Sequence, residues 1–133
     1  KYLVQKRLKH PYYGYHGFIT GKVKWGETVF EAAKRELQEE AGLEGKLKLA
    51  GVEHKMDYSE GGKLLEDKYF YIITVKNPEG IMVEKFEAGE NIWLSEKEIK
   101  KLEEVFGDVL PVLKIVDSKK FTFLEKKYTV RRY

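Results

Sequence analysis

The chain has 133 residues, 42% of them apolar and 35% charged, with a formal charge of +3. That suits one globular domain over residues 1–133, large enough to bury a core, and the positive charge is too small to argue for nucleic acid binding. There is no cysteine, which excludes disulfides and thiolate metal sites, and no signal peptide or apolar run of membrane-spanning length, so a cytoplasmic address is expected. The chain opens on Lys1 instead of methionine, and we therefore expect that some N-terminal sequence is missing.

Tyr2 to Lys6 predicts a strand, followed by the basic residues Lys6, Arg7 and Lys9. His10 to Phe18 is dense in aromatics, and Pro11, Gly14 and Gly17 predict a loop leading into a short strand from His16 to Thr20. Phe18 is expected in the core. Tyr12, Tyr13 and Tyr15 either pack there or stack against a ligand ring. His10 and His16 have no carboxylate neighbour in sequence to orient them, so neither receives a role.

From Gly21 the pattern changes. Gly21, Gly26, Lys22, Lys24 and Glu27 suit irregular backbone, and Thr28 with Glu31 three residues on forms a capping box. Val29 to Ala41 holds good helix formers and no breaker, and Gly42 stands where a C-terminal cap belongs. Phe30, Ala33, Leu37 and Ala41 recur at the spacing of one buried stripe. Beside them Glu36, Glu39 and Glu40 share one helix edge, where like charges repel. A divalent cation explains such an edge: Mg²⁺ takes one or two carboxylates together with waters and phosphate oxygens. A solvated acidic face is the competing explanation.

The spacing favours the cation. Gly21, Glu27 and then Arg35-Glu36-Leu37-Gln38-Glu39-Glu40-Ala41-Gly42-Leu43 fill every fixed position of G-x5-E-x7-R-E-U-x-E-E-x-G-U, where U is aliphatic. The stretch resembles the Nudix box of the Nudix hydrolases. The resemblance implies an α/β chain, the Nudix-type α/β/α sandwich with a mixed β-sheet. It implies metal ligands at Glu36, Glu39 and Glu40, and at Glu27 either a ligand of a second ion or a residue that holds the loop, with Mg²⁺ as cofactor and Mn²⁺ as a substitute. It implies a basic residue at the end of the first strand, here Lys6, facing substrate phosphates. Together with Lys6, the residues Lys22, Tyr13 and Tyr15 are the substrate-binding candidates. One departure from many relatives is the absence of proline beside the box glycine, where Thr20 and Lys22 stand.

Beyond the box, Glu44 to Met56 reads as a strand bent at Gly51, and Asp57 to Lys63 as a turn region. Leu64 to Lys76 contains Tyr69 to Val75, β-branched and aromatic throughout, as for a strand buried on both faces. Asn77 to Gly80 predicts a turn. An acidic stretch from Glu84 to Glu90 precedes a short strand, Asn91 to Leu94, and Ser95 with Glu98 caps a helix predicted to about Phe106. By resemblance this acidic loop supplies a further glutamate as metal ligand or general base, with Glu90 first and Glu87 second. Asp108 to Asp117 predicts a helix with Pro111 in its first turn, and the tail from Phe121 an edge strand or hairpin.

The expected reaction is Mg²⁺-dependent hydrolysis of a phosphoanhydride in a nucleoside diphosphate-linked substrate. Examples are a nucleoside triphosphate, a dinucleoside polyphosphate or a nucleotide sugar. Glu39 or Glu90 takes the proton from the attacking water, and Arg35 orients the box carboxylates. A non-catalytic ligand-binding or regulatory Nudix domain is the alternative. RNA 5′-end processing shares the chemistry, and Lys126, Lys127, Arg131 and Arg132 permit it without arguing for it. The partners are then a small nucleotide-type molecule and, as is common among Nudix proteins, a second copy of the chain, with no membrane.

Overall fold

The computed structural model describes residues 1–133. In chain order it forms β1 (Tyr2–Arg7), β2 (His16–Gly17), α1 (Val29–Ala41), β3 (Leu43–Ser59), β4 (Leu64–Gly80), β5 (Lys85–Phe86), β6 (Gly89–Leu94), α2 (Glu96–Ile99), α3 (Val109–Ser118) and β7 (Thr122–Val130). Two compact units emerge, residues 1–47 with 75–106 and residues 48–74 with 107–133.

The first unit is built on a four-stranded sheet ordered β2-β1-β6-β5. β1 is its register frame: Gln5 lies opposite Gly17 and Asn91, and Lys6 opposite His16 and Glu90. Directly opposed residues share a face, so Gln5 and Asn91 project to one side and Lys6, His16 and Glu90 to the other. Val4, Ala32, Ala41, Leu43, Leu94 and Ile99 are buried here.

α1 begins and ends as its sequence dictates. The Glu31 N–H donates to Thr28 Oγ1 at 3.1 Å and the Thr28 N–H to Glu31 Oε1 at 2.9 Å, closing the capping box. Gly42 takes the left-handed conformation (φ 68°) and donates its N–H to the Gln38 carbonyl. The buried stripe is rotated from the expected one: Ala32 and Ala41 are buried, and Phe30 is exposed. The rotation turns Glu36 and Glu40 partly inward.

α2 is shorter than expected. Its capping box forms, but after Ile99 the Lys101 and Leu102 N–H groups turn back to carbonyls only three residues behind. The chain then leaves helical geometry because β2 claims it. The His16 N–H donates to the Glu104 carbonyl at 2.8 Å and the Phe106 N–H to the His16 carbonyl at 3.0 Å.

β3 and β4 run the length of a three-stranded sheet ordered β4-β3-β7. They are joined by a turn in which the Ser59 N–H donates to the Lys63 carbonyl. β4 continues through Asn77–Gly80, where a turn was expected; Asn77 adopts a positive φ without interrupting the strand, which ends at Gly80. Nor is β4 buried on both faces. It is an edge strand, and Tyr69 and Tyr71 are exposed while Ile72 is buried.

In the second unit β7 pairs in parallel with β3 from Gly51–Thr122 to Ser59–Val130, so the sheet is mixed and the tail is an edge strand. Parallel strands need a crossover between them, and α3 lies in sequence between β3 and β7. Its residues Val109, Val112, Leu113 and Ile115 supply the core. β3 departs most from its sequence pattern. Its buried alternate positions are Gly51, Glu53, Lys55 and Asp57, not its aliphatic residues.

Candidate active site

A tight turn at the start of the box sets the geometry. The Glu27 N–H donates to the Lys24 carbonyl at 3.0 Å, the Lys24 N–H donates to Glu27 Oε1 at 2.8 Å, and Gly26 takes φ 84° between them. Arg35, one helix turn before Glu39, fastens this turn to α1. It donates from Nε to Glu27 Oε2 at 2.7 Å, from Nη2 to Glu27 Oε1 at 2.9 Å and to the Lys22 carbonyl at 3.0 Å. Its Nη1 reaches Glu36 Oε1 at 2.8 Å and Glu39 Oε2 at 3.4 Å. The bidentate hydrogen bond from Arg35 holds the Glu27 carboxyl down at about 2. Reciprocally, Glu27 and then Glu36 raise the guanidinium far above its usual range.

Both oxygens of Glu27 are thus engaged by Arg35 and the turn backbone. Of the two roles expected for Glu27, ligand of a second ion or holder of the loop, these contacts serve the second. Gly21 is explained by packing: a Cβ there would overlap the Glu36 carboxylate.

Glu36 and Glu40 form a pair one helix turn apart. Burial, and after it the hydrogen bond with Glu36, pushes the Glu40 carboxyl up to about 7. Burial also opposes ionisation of Glu36, but the hydrogen bond from Glu40 and the Arg35 guanidinium outweigh it and hold that carboxyl low. Gln5 and Asn91 fix the pair from β1 and β6. Gln5 Nε2 donates to Glu40 Oε1 and to Asn91 Oδ1, each at 3.1 Å. Asn91 Nδ2 donates to the Glu40 and Val83 carbonyls, each at 2.8 Å. Sequence reasoning missed Gln5 and Asn91, because a lone amide in a short strand carries no spacing signal. Glu39 differs from its neighbours, with a side chain 57% exposed and only the longer contact to Arg35.

These carboxylates suit a hard divalent cation in one respect. Burial, and after it the neighbouring Glu36, disfavours a second negative charge at Glu40, and a divalent cation held by the pair would offset both. No three acidic or histidine side chains converge on one metal position. Two carboxylates completed by waters and phosphate oxygens match the habit of Mg²⁺.

The remaining candidates divide. Glu90 shares its face with Lys6 and His16, opposite the face on which Gln5 and Asn91 meet Glu40, and it pairs with Lys85 at 3.5 Å. The fold therefore does not bring Glu90, expected as the loop glutamate, to the box. Lys6 and Glu90 line a cleft of about 750 Å³ with Glu84, Lys85 and Trp93. Tyr15 is buried, its ring against Tyr12 and Phe106 at 5.5 and 5.1 Å, so it serves the core instead of stacking on a ligand. Tyr13 is exposed with its ring 5.5 Å from His10. The Lys22 carbonyl accepts from Arg35, and the residue is exposed.

The second unit holds a buried polar cluster that the alternation of Glu53, Lys55 and Asp57 in sequence could have revealed. Glu53 is 1% exposed, and its Oε2 and the Tyr128 hydroxyl have no hydrogen-bond partner. Lys55 Nζ lies 3.2 Å from Asp108 Oδ1 and 3.9 Å from Asp57 Oδ2. Burial, then the Asp108 charge, pushes the Glu53 carboxyl up to about 9. Burial and the nearby carboxylates also raise the Tyr128 hydroxyl above its usual range.

The structure is a mixed α/β fold in which an arginine clamps a loop onto an acid-edged helix. The NUDIX domain family model matches residues 1–113, and the chain belongs to the Nudix family. Among solved structures it is similar to the mutator MutT protein from Bacillus halodurans, at 25% identity and a TM-score of 0.77, over 96% of this chain and 81% of that one. A NUDIX hydrolase from Nitrosomonas europaea is similar in fold, at 19% identity and a TM-score of 0.51, over 95% and 71% of the two chains. No curated protein matches the chain. No helix is long and apolar enough to cross a membrane.

Proposed function

We propose that this protein is a pyrophosphohydrolase whose single Nudix domain, over residues 1–133, cleaves a phosphoanhydride bond in a nucleoside diphosphate-linked substrate. Membership of a family of hydrolases gives the reaction class. The observation that carries the reading to these residues is the Glu36–Glu40 pair, held by Gln5 and Asn91 from one side and by Arg35 from the other.

Glu36 and Glu40 are the residues that would hold Mg²⁺ or Mn²⁺. The ion, when bound, supplies charge neutralisation at the diphosphate and a lowered pKa for bound water. Glu39 stands outside the pair, exposed, and is the box carboxylate free to take a proton from the attacking water. Arg35 is a positioning residue: it fixes Glu36 and the loop through Glu27. The exposed Lys22 is available to substrate phosphates.

The test is hydrolysis of a panel with and without Mg²⁺. It holds nucleoside triphosphates, dinucleoside polyphosphates and nucleotide sugars, with inorganic triphosphate added and Glu39→Gln as control. Metal-dependent turnover of one class, reduced by about 10²–10⁴-fold in Glu39→Gln with the circular dichroism spectrum unchanged, is expected. Binding without turnover across the panel would identify a regulatory domain instead.

A further inference from the structure

Trp25 is fully exposed, at 104% of its reference surface, and Val23 and Phe30 on either side of it in sequence are exposed as well. Nothing within the chain uses this indole. Its backbone is nevertheless held firmly. Trp25 occupies the turn whose ends, Lys24 and Glu27, exchange two hydrogen bonds, and Arg35 ties that turn to α1 through Glu27 and the Lys22 carbonyl.

The same Arg35 contacts Glu36 and Glu39, so the turn and the carboxylate edge belong to one hydrogen-bonded assembly. The Trp25 backbone lies within ~7 Å of the Glu27 backbone, the reach of two extended residues. The other rings near the box are already engaged. Tyr12 and Tyr15 pack on Phe106, and Tyr13 leans toward His10.

We infer that Trp25 is the stacking platform for the aromatic base of the substrate whose phosphates the box receives. This rests on the phosphoanhydride reading above. Stacking on an indole accepts any base, because every base has a π-face. Lys22 and Lys24 precede Trp25 in the same loop and suit a ligand that carries phosphates next to its base. An anionic membrane fits poorly, because the exposed carboxylates of Glu31 and Glu39 on α1 repel it. A nucleotide that arrives with its own divalent cation turns those charges to its advantage.

The experiment titrates four methylene-bridged nucleoside diphosphates and, separately, inorganic pyrophosphate into the wild-type chain, Trp25→Ala and Trp25→Phe, all with Mg²⁺. Affinity is read by calorimetry and indole emission by fluorescence. At least one nucleotide is expected to quench the wild-type emission, and Trp25→Phe to lose the quench while keeping affinity within a few-fold. Trp25→Ala should weaken that nucleotide by about 5- to 150-fold, the value of one base–ring stack, and leave pyrophosphate and the urea midpoint unchanged.

Equal nucleotide affinity in wild type and Trp25→Ala overturns the proposal, as does the absence of nucleotide binding. So does self-association without nucleotide that Trp25→Ala abolishes, which would make the indole a contact between copies. The two readings fail separately. A Trp25-dependent quench with no cleavage of any phosphoanhydride sinks the reaction and leaves the stack. Cleavage with a KM that Trp25→Ala does not move sinks the stack and leaves the reaction.

Discussion

Replacing Glu53 with glutamine should make this protein more stable at neutral pH, and the size of the gain follows from burial. Glu53 is 1% exposed, and its carboxyl is pushed up to about 9 by burial and then by the Asp108 charge, against 4.5 in water. A carboxyl whose folded pKa is raised stabilises the fold most at low pH. That stability is lost as pH climbs from 4.5 to about 9, since over this window the unfolded chain must take up a proton to fold. At pH 7.5 the proton uptake costs about 4 kcal/mol, three units above the unfolded value, and the figure holds for any folded value above 7.5. Glutamine has the shape of the protonated acid and never ionises. It can donate one N–H to Asp108, while its second N–H, left unmatched in this pocket, costs about 1–3 kcal/mol. The expected net gain at pH 7.5 is therefore about 1–3 kcal/mol. Urea denaturation of both proteins at pH 5, 6, 7 and 8 measures it. The stability difference should grow in favour of glutamine by up to about 1.4 kcal/mol per pH unit. Parallel pH profiles would refute the reasoning, because they would mean that Glu53 enters the fold ionised.

Three further outcomes are expected. Thr28→Ala removes the N-cap of α1 and should lower stability by about 1 kcal/mol in urea or thermal melts, with catalytic turnover per folded molecule retained. Arg35→Lys keeps the charge but loses the fork that grips Glu27, Glu36 and the Lys22 carbonyl. Turnover should fall by about 10–100-fold in steady-state assays while circular dichroism stays native. If Glu40 holds Mg²⁺ as proposed, the ion must displace the proton that burial keeps on this carboxyl up to about 7. Calorimetry in two buffers of different ionisation enthalpy should show proton release below pH 7, and affinity should weaken by up to about tenfold per pH unit on acidification.

The box and its helix could be read without coordinates because they depend on local chemistry. Thr28, Glu31 and Gly42 lie within a few residues of the groups they satisfy, so capping follows from spacing, and the box pattern named the family directly. The face of each carboxylate was not legible. Glu36, Glu39 and Glu40 look alike in sequence, yet the rotation of α1 exposes Glu39 and turns the other two toward Gln5 and Asn91. Glu90 looked suitable as a loop glutamate, but β6 alternates, and its pairing with β1 sends Glu90 to the face of Lys6. β2 similarly drew Glu104–Phe106 out of the helix that Ser95 began. On β3 the alternation of Glu53, Lys55 and Asp57 was visible, but not that this charged set faces inward, where Asp108 pairs with Lys55 and Tyr128 lies close to the carboxylates, both from distant parts of the chain. Sequence alone determined what is decided within a turn or two of backbone: the caps, the acid edge and the family they announce. The tertiary structure decided which side of each element meets which other, because register and burial depend on strands far apart in the chain, and a shift of one residue exchanges one face for the other.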